Sequence, residues 1–169
     1  GSEMCIRDSV EEFGRTLGEE LLTPTRVYAA DLLALIRTPG VDIHALSHIT
    51  GGGLAANLAR VLPRGSYARV DRATWTPPAV FEVIGRLGRV PQADLERTLN
   101  LGIGFVAVLP AAHAAAAEQV CRARGIPAWV LGEVGDEATW TPDPRAEVIR
   151  GAKGVDGGSV QVVGEHPKP

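Results

Sequence analysis

The run Thr50-Gly51-Gly52-Gly53 sits between a short β-rich stretch and an apolar helical pattern, a junction well suited to holding a phosphate. Glycine has no Cβ to block the approach of a ligand, and the first N–H groups of a following helix point outward with positive dipole character. A phosphate cradle is therefore expected here, beside the plainer reading of a structural strand-to-helix turn. It is neither a P-loop nor a dinucleotide fingerprint, because no Gly-Lys-Ser/Thr ending follows and the glycines are consecutive. His48, two residues earlier, either faces the same cleft or is a hydrogen-bonded structural histidine. Arg26, after Thr23-Pro24-Thr25, can reach a phosphate or pair with a carboxylate such as Glu20. Asn100, Gly102 and Gly104 form a second tier; they open an apolar strand, where glycine also permits close packing of a neighbouring element.

Other residue types exclude more than they suggest. His44 and His48 fall on one face of a strand about 13 Å apart, too far to chelate one ion, and no metal site is expected. Cys5 and Cys121 are too few for a disulfide framework or a cysteine zinc site, and Cys121, in an Ala-rich helical pattern, reads as a buried, inert thiol. His113, near a helix start, reads as a surface residue. Trp75, Trp129 and Trp140 read as core or lid packing, and Asp94, Glu96 and Glu118 as solvated helix-surface carboxylates.

The elements that must position these residues follow from periodicity. Val27, Leu32, Leu33 and Ile36 predict a helix over 24–37, stopped by Thr38-Pro39-Gly40. Strands are expected over 43–49, 67–70, 103–109, 127–134 and 159–163. Further helices are expected over 54–62, from Pro77-Pro78 with Val80, Phe81, Ile84 and Leu87 as its apolar stripe, over 92–98, and over 111–124 ending at Gly125. The Gly-, Pro- and acid-rich stretch 135–157 reads as loop or hairpin, and the tail from His166 as frayed. The fold class is α/β of the α+β type: a mixed β-sheet with helices packed mainly on one face.

The chain is long enough for one sizeable core, with 45% hydrophobic and 22% charged residues among 169. A net charge of -3 with scattered Lys and Arg leaves no footprint for nucleic acid or an anionic membrane. No apolar run or leader pattern suggests a membrane or a secreted fate, so a cytoplasmic protein is expected. Residues 1–9, Gly-Ser-Glu-Met-Cys-Ile-Arg-Asp-Ser, lack any hydrophobic period and resemble the in-frame translation of a sequencing-library adapter. They are set aside as a scar, which leaves a single domain over 10–169 and the expectation that the natural chain begins further upstream. Without Glu3, Arg7 and Asp8 the 16 basic and 18 acidic residues leave the charge argument unchanged.

Three segments carry a resemblance: Leu22-Thr-Pro-Thr-Arg-Val-Tyr28, His44-Ala-Leu-Ser-His-Ile-Thr-Gly-Gly-Gly53 with Asn57 to Pro63 after it, and Arg97-Thr-Leu-Asn-Leu-Gly-Ile-Gly104. In this order they resemble the C-terminal half of the phosphoribosylformylglycinamidine cyclo-ligase (aminoimidazole ribonucleotide synthetase) family, continuously from about Phe13 to about Val134 and only loosely over 135–169. The resemblance implies the C-terminal domain fold of that superfamily and a part in converting formylglycinamidine ribonucleotide and ATP to aminoimidazole ribonucleotide, ADP and phosphate. It implies ATP and Mg2+ sites in an N-terminal half that also carries a His-Ser-Asn-Gly segment, none of it in this sequence. It further implies a homodimeric full-length enzyme and a chain inactive by itself. Thr50, Gly51, Gly52, Gly53, His48 and Arg26 are the positions it favours for the ribonucleotide phosphate or its surroundings. Related architectures occur in thiamine-monophosphate kinase, selenophosphate synthetase and the glutamine-dependent formylglycinamidine ribonucleotide synthetase, which the Thr-Pro-Thr-Arg and His-Ile-Thr-Gly-Gly-Gly segments fit less well. A stand-alone module that binds a phosphorylated metabolite or a partner protein without catalysis is the other reading.

Overall fold

The computed structural model describes residues 7–151 and 156–167. Residues 1–6 of the expected scar lie outside it. Ser9–Val10 (β1) pairs with Arg15–Thr16 (β2) in a small antiparallel clip. Thr16 then caps the short helix Leu17–Leu21 (α1) through a reciprocal bond with Glu19.

The expected helix over 24–37 is shorter, Ala29–Ile36 (α2), and residues 23–28 before it stay irregular. Its buried residue is Leu35, and Val27, Leu33 and Ile36 of the expected apolar stripe are exposed. Ala45–His48 (β3) leads through the glycine turn to Gly53–Val61 (α3) and Ser66–Asp71 (β4). Ala79–Gly88 (α4) buries Val83 and leaves Ile84 and Leu87 exposed, another departure from the predicted stripe. Gln92–Thr98 (α5), Phe105–Val108 (β5) and Ala114–Ala123 (α6) fall where expected, α6 being preceded by a 3-10 turn at Ala111–His113.

The strand expected over 127–134 is displaced to Gly132–Asp136 (β6). Gly132 permits the shift, since a Cβ there would lie 2.0 Å from the Arg69 carbonyl oxygen of β4. Val148–Arg150 (β7) forms inside the stretch expected to be loop or hairpin, and Ser159–Val163 (β8) falls as predicted.

The architecture is α/β with a mixed sheet, as expected, but the strands divide. A four-stranded sheet has the order β6-β4-β8-β7, with β4 parallel to β8 and the other pairs antiparallel. β3 and β5 form a separate antiparallel ribbon. α3 wedges between ribbon and sheet: Leu54, Leu58 and Ala59 pack with Ala68, Val70 and Val160 from the sheet and with Ile49, Trp75 and Ile103. Burying those side chains is the main driving force for this arrangement. A second cluster joins Leu35 of α2 to Val41 and Ala117 of α6.

The opposite face of the sheet is covered too. The Tyr67 hydroxyl donates to Gln161 Oε1 (2.6 Å), and Gln161 Nε2 donates to the carbonyls of Asp143 and Ala146 (2.7 Å each). Trp140 lies against the Tyr67 ring. The segment after β6 is thus a fixed wall of the molecule. Nor is the chain end frayed at His166, whose ring meets Trp75 edge-on at 4.5 Å and whose Nδ1 lies 3.2 Å from the Arg72 carbonyl oxygen; residues 168–169 lie outside the described part. No helix among the described residues is long and apolar enough to cross a membrane.

Candidate functional site

The glycine turn is built from the strand side and the helix side at once. Ile49, buried, donates its N–H to the Gly104 carbonyl (2.9 Å), and Thr50 accepts from Gly53 N (3.2 Å). Gly52 (φ +101°) and Gly53 (φ +72°) take left-handed backbone, which excludes most other residues. At Gly53 the reason is packing, because a Cβ would lie 1.8 Å from the Glu96 carbonyl oxygen of α5. Gly51 and Gly52 are exposed, and a Cβ on Gly51 would meet nothing within 4 Å. Buried Asn57 ties the turn from inside, its Nδ2 donating to the carbonyls of Gly53 (2.7 Å) and Thr50 (3.2 Å). With those carbonyls held by Asn57, the exposed Gly51–Gly52 edge is the side of the turn that is open to solvent.

Gly52 opens into a cleft of about 260 Å³ between the start of α3, α5, the Asn100–Leu101 turn and the wall before β7. Trp75, Leu101 and Val162 give it an apolar floor, and Arg97, Arg145 and Glu147 a charged border. Leu101 itself holds left-handed backbone (φ +47°) while buried, and its carbonyl accepts from Trp75 Nε1 (3.2 Å). Asn100 Oδ1 accepts from Gly102 N (3.2 Å) in the same turn.

The structure therefore brings the Gly52 turn and Asn100 to one cleft and leaves His48, Arg26 and Gly104 outside its lining. His48 is exposed on the ribbon, its ring stacked on Phe105 at 4.6 Å with Tyr28 edge-on at 6.4 Å. Gly104 makes room for Tyr28, whose hydroxyl oxygen would lie 1.8 Å from a Cβ there. Gly102 makes room for Pro78 in the same way, at 2.6 Å. Arg26 is exposed and does not pair with Glu20, which accepts instead from Arg15 Nε (2.8 Å). His44 pairs with Asp42 (3.1 Å), and His113 Nδ1 accepts from Asp42 N (3.3 Å).

Glu96 is not the solvated carboxylate its helical position suggests. Arg72 grips it through two bonds, 2.6 and 2.9 Å, with both side chains about four-fifths buried, and Arg72 also donates to the Val162 carbonyl (2.7 Å). Burial pushes the Glu96 carboxyl up, but the Arg72 hydrogen bonds and charge outweigh it and the net shift is downward. His166 shares this corner: with Nδ1 donating to backbone carbonyls, its buried Nε2 has no hydrogen-bond partner among the described residues and stands 3.9 Å from Glu96 Oε1. Behind Arg145 of the cleft border, the Asp143 carboxyl is lowered to about 2 by hydrogen bonds from Arg145. Burial raises the Cys121 thiol, in keeping with an inert residue. No local spacing announces that Arg72, Glu96, His166 and Glu147 line one cleft, because they come from four separate segments that only the fold brings together.

Residues 1–141 match the family described as AIR synthase related protein, C-terminal domain. The chain belongs to that family. Its matched stretch takes in both the glycine turn and the Asn100–Gly104 segment. A Streptomyces fradiae protein provisionally named a phosphoribosylformylglycinamidine cyclo-ligase is 54% identical over 136 residues, 80% of this chain and 74% of that protein. The phosphoribosylformylglycinamidine cyclo-ligases of an Anaeromyxobacter species and of Sorangium cellulosum are 46% and 49% identical over 81% and 78% of this chain. This AIR synthase related domain spans 38% of the length of each of those two. The wall bearing Arg145 and Glu147 lies beyond the residues matched to the family.

Proposed function

We propose that this chain acts as the substrate-side domain of a purine-biosynthesis cyclo-ligase, which converts formylglycinamidine ribonucleotide and ATP to aminoimidazole ribonucleotide, ADP and phosphate. The observation that carries the reading is the 46–49% identity to named cyclo-ligases over about four-fifths of the chain. In this reading the Gly51–Gly52 edge of the turn receives the ribonucleotide phosphate, and the adjoining cleft takes part of the remaining substrate. Backbone N–H donors at a helix start favour an anion there, and the open space beside Gly51 admits one. His48 and Arg26, outside the cleft, serve the face that meets a partner domain.

ATP and Mg2+ are assigned to that partner domain. Among the described residues no three His, Cys, Asp or Glu side chains converge to hold a metal ion, and Glu96, Asp143 and Glu147 are each engaged by an arginine. No phosphoryl-transfer step is derived on this chain. A face for the partner is offered by Leu21, Leu22, Val27, Leu33 and Ile36, large apolar side chains left exposed within sixteen residues. The full-length enzyme is proposed to be a cytoplasmic homodimer.

A non-catalytic module that binds a phosphorylated metabolite is the second reading, favoured by the Streptomyces fradiae protein, of which this chain spans as much as 74%. Reconstitution separates the two. The chain alone should form no aminoimidazole ribonucleotide. Mixed with the portion of the Anaeromyxobacter relative that precedes its matching region, it should form product when ATP, Mg2+ and formylglycinamidine ribonucleotide are supplied. Absence of product from two demonstrably folded partners would favour the module.

A further inference from the structure

Arg97, in the last turn of α5, and Glu147, just before β7, are joined by an ion pair at the rim of the cleft, fifty residues apart in sequence. Both side chains are more than half exposed, 57% and 58%. A pair so exposed is screened by solvent and contributes little to the fold, so its partners exchange cheaply. The other carboxylate near Arg97, Asp94 on the same helix, stands at 3.9 Å. Glu147 is not on a loose tail: Gln161 fixes the Asp143 and Ala146 carbonyls next to it, presenting the carboxylate from a rigid wall. Gly52 lines the same cleft, with Trp75 and Leu101 beneath leaving room for an uncharged ring or sugar.

We propose that Arg97 is a ligand for a phosphate monoester in this cleft and that Glu147 is its built-in competitor, displaced from the guanidinium when the phosphorylated compound enters. A guanidinium fork matches two phosphate oxygens as it matches a carboxylate, and a phosphate monoester carries more negative charge than the carboxylate it replaces. The exchange costs little because the ion pair it breaks is solvent-exposed. Since Glu147 lies beyond residue 141, where the family match ends, the competitor belongs to this chain's own C-terminal segment. Ligand affinity is thereby set by a difference: Arg97 contributes only what the phosphate gains over Glu147. The inference rests on reading the glycine turn as the phosphate side of the site.

The test is calorimetric titration of the whole chain with ribose 5-phosphate at low ionic strength, with ribose as the uncharged control, on wild type and on Arg97→Gln, Glu147→Gln, the double variant and Gly51→Val. Glu147→Gln should tighten ribose 5-phosphate binding about ten-fold, and Arg97→Gln should weaken it about ten-fold, each by the value of one charge-assisted contact. The double variant should behave like Arg97→Gln, and ribose should bind to none. Melting temperatures should stay within a few degrees of wild type, which separates lost binding from lost folding. If Arg97→Gln and Glu147→Gln both bind as wild type does while Gly51→Val loses binding, the exchange is wrong and the cradle stands. If the arginine and glutamate variants act in opposite directions while Gly51→Val is neutral, the exchange stands without the turn. Failure of both wild type and Glu147→Gln to bind ribose 5-phosphate overturns the proposal.

Discussion

A Cβ at residue 53 would lie 1.8 Å from a backbone oxygen of α5, whereas one at residue 51 would meet nothing within 4 Å. Between them, Gly52 has space around it but a φ of +101°. The same residue type thus answers to packing at 53, to backbone conformation at 52 and to neither at 51. Gly53→Ala should destabilise the protein by more than about 3 kcal/mol, since neither the contact nor the φ of +72° can be relieved without moving α5. Gly51→Ala should change stability by less than about 0.5 kcal/mol. Urea denaturation of the two variants checks both values, and equal losses would show that the turn is set by something other than this contact. For the same reason Gly51→Val is the cleaner probe of ligand approach; at Gly52 a β-branched residue would mix backbone strain with blockage.

Two helices and the end of the last strand are tied together by Arg72 and Glu96. Arg72 reaches from the 3-10 turn Arg72–Thr74 to α5 and to the Val162 carbonyl at once, so one guanidinium sets how the floor of the cleft meets its side. Glu96→Gln should cost about 2 kcal/mol, the usual worth of a hydrogen bond to a charged group in a partly buried place. Its acid dependence has a definite sign. The folded carboxyl is held below its ordinary 4.5, so this stabilisation is fully present above that pH and is lost as pH falls through the lowered folded value. The stability gap between wild type and Glu96→Gln should therefore narrow steadily below about pH 4.5, as followed by denaturation at a series of pH values. A gap that stays constant to pH 2 would mean the carboxylate charge is not what matters.

At the scale of the whole molecule, β8 is an interior strand made from the end of the chain. It pairs in parallel with β4 and antiparallel with β7, and Ser159, Val160 and Gln161 are almost fully buried. Its removal would strip α3 of Val160 and orphan the Tyr67 hydroxyl on the other face. A chain ending at Gly157 should show no cooperative thermal transition and no dispersed amide spectrum. Retention of either would mean that the chain up to Gly157 folds without β8.

Much of this was readable in the residues themselves. Short-range periodicity and turn chemistry marked α3, α5, α6, β3, β4 and β8 near their observed places, because a helix or strand repeats within a few residues and glycine or proline ends it locally. The Leu22–Tyr28, His44–Gly53 and Arg97–Gly104 segments carried the family for the same reason: each is a contiguous string. What only the tertiary structure decided is which faces were used and which distant groups met. α2 and α4 are apolar over more than one side, so pattern alone could not say that Leu35 and Val83 would be the buried residues. β4 finds β8 about ninety residues later, Tyr67 meets Gln161 94 residues away, and His166 returns 91 residues to the Trp75 carbonyl. Glu96 looked solvated because nothing within a helical turn of it foretells Arg72, 24 residues earlier. Contacts of that range are selected by the packing of the whole chain, in which burying one set of apolar faces settles where every polar group must find its partner.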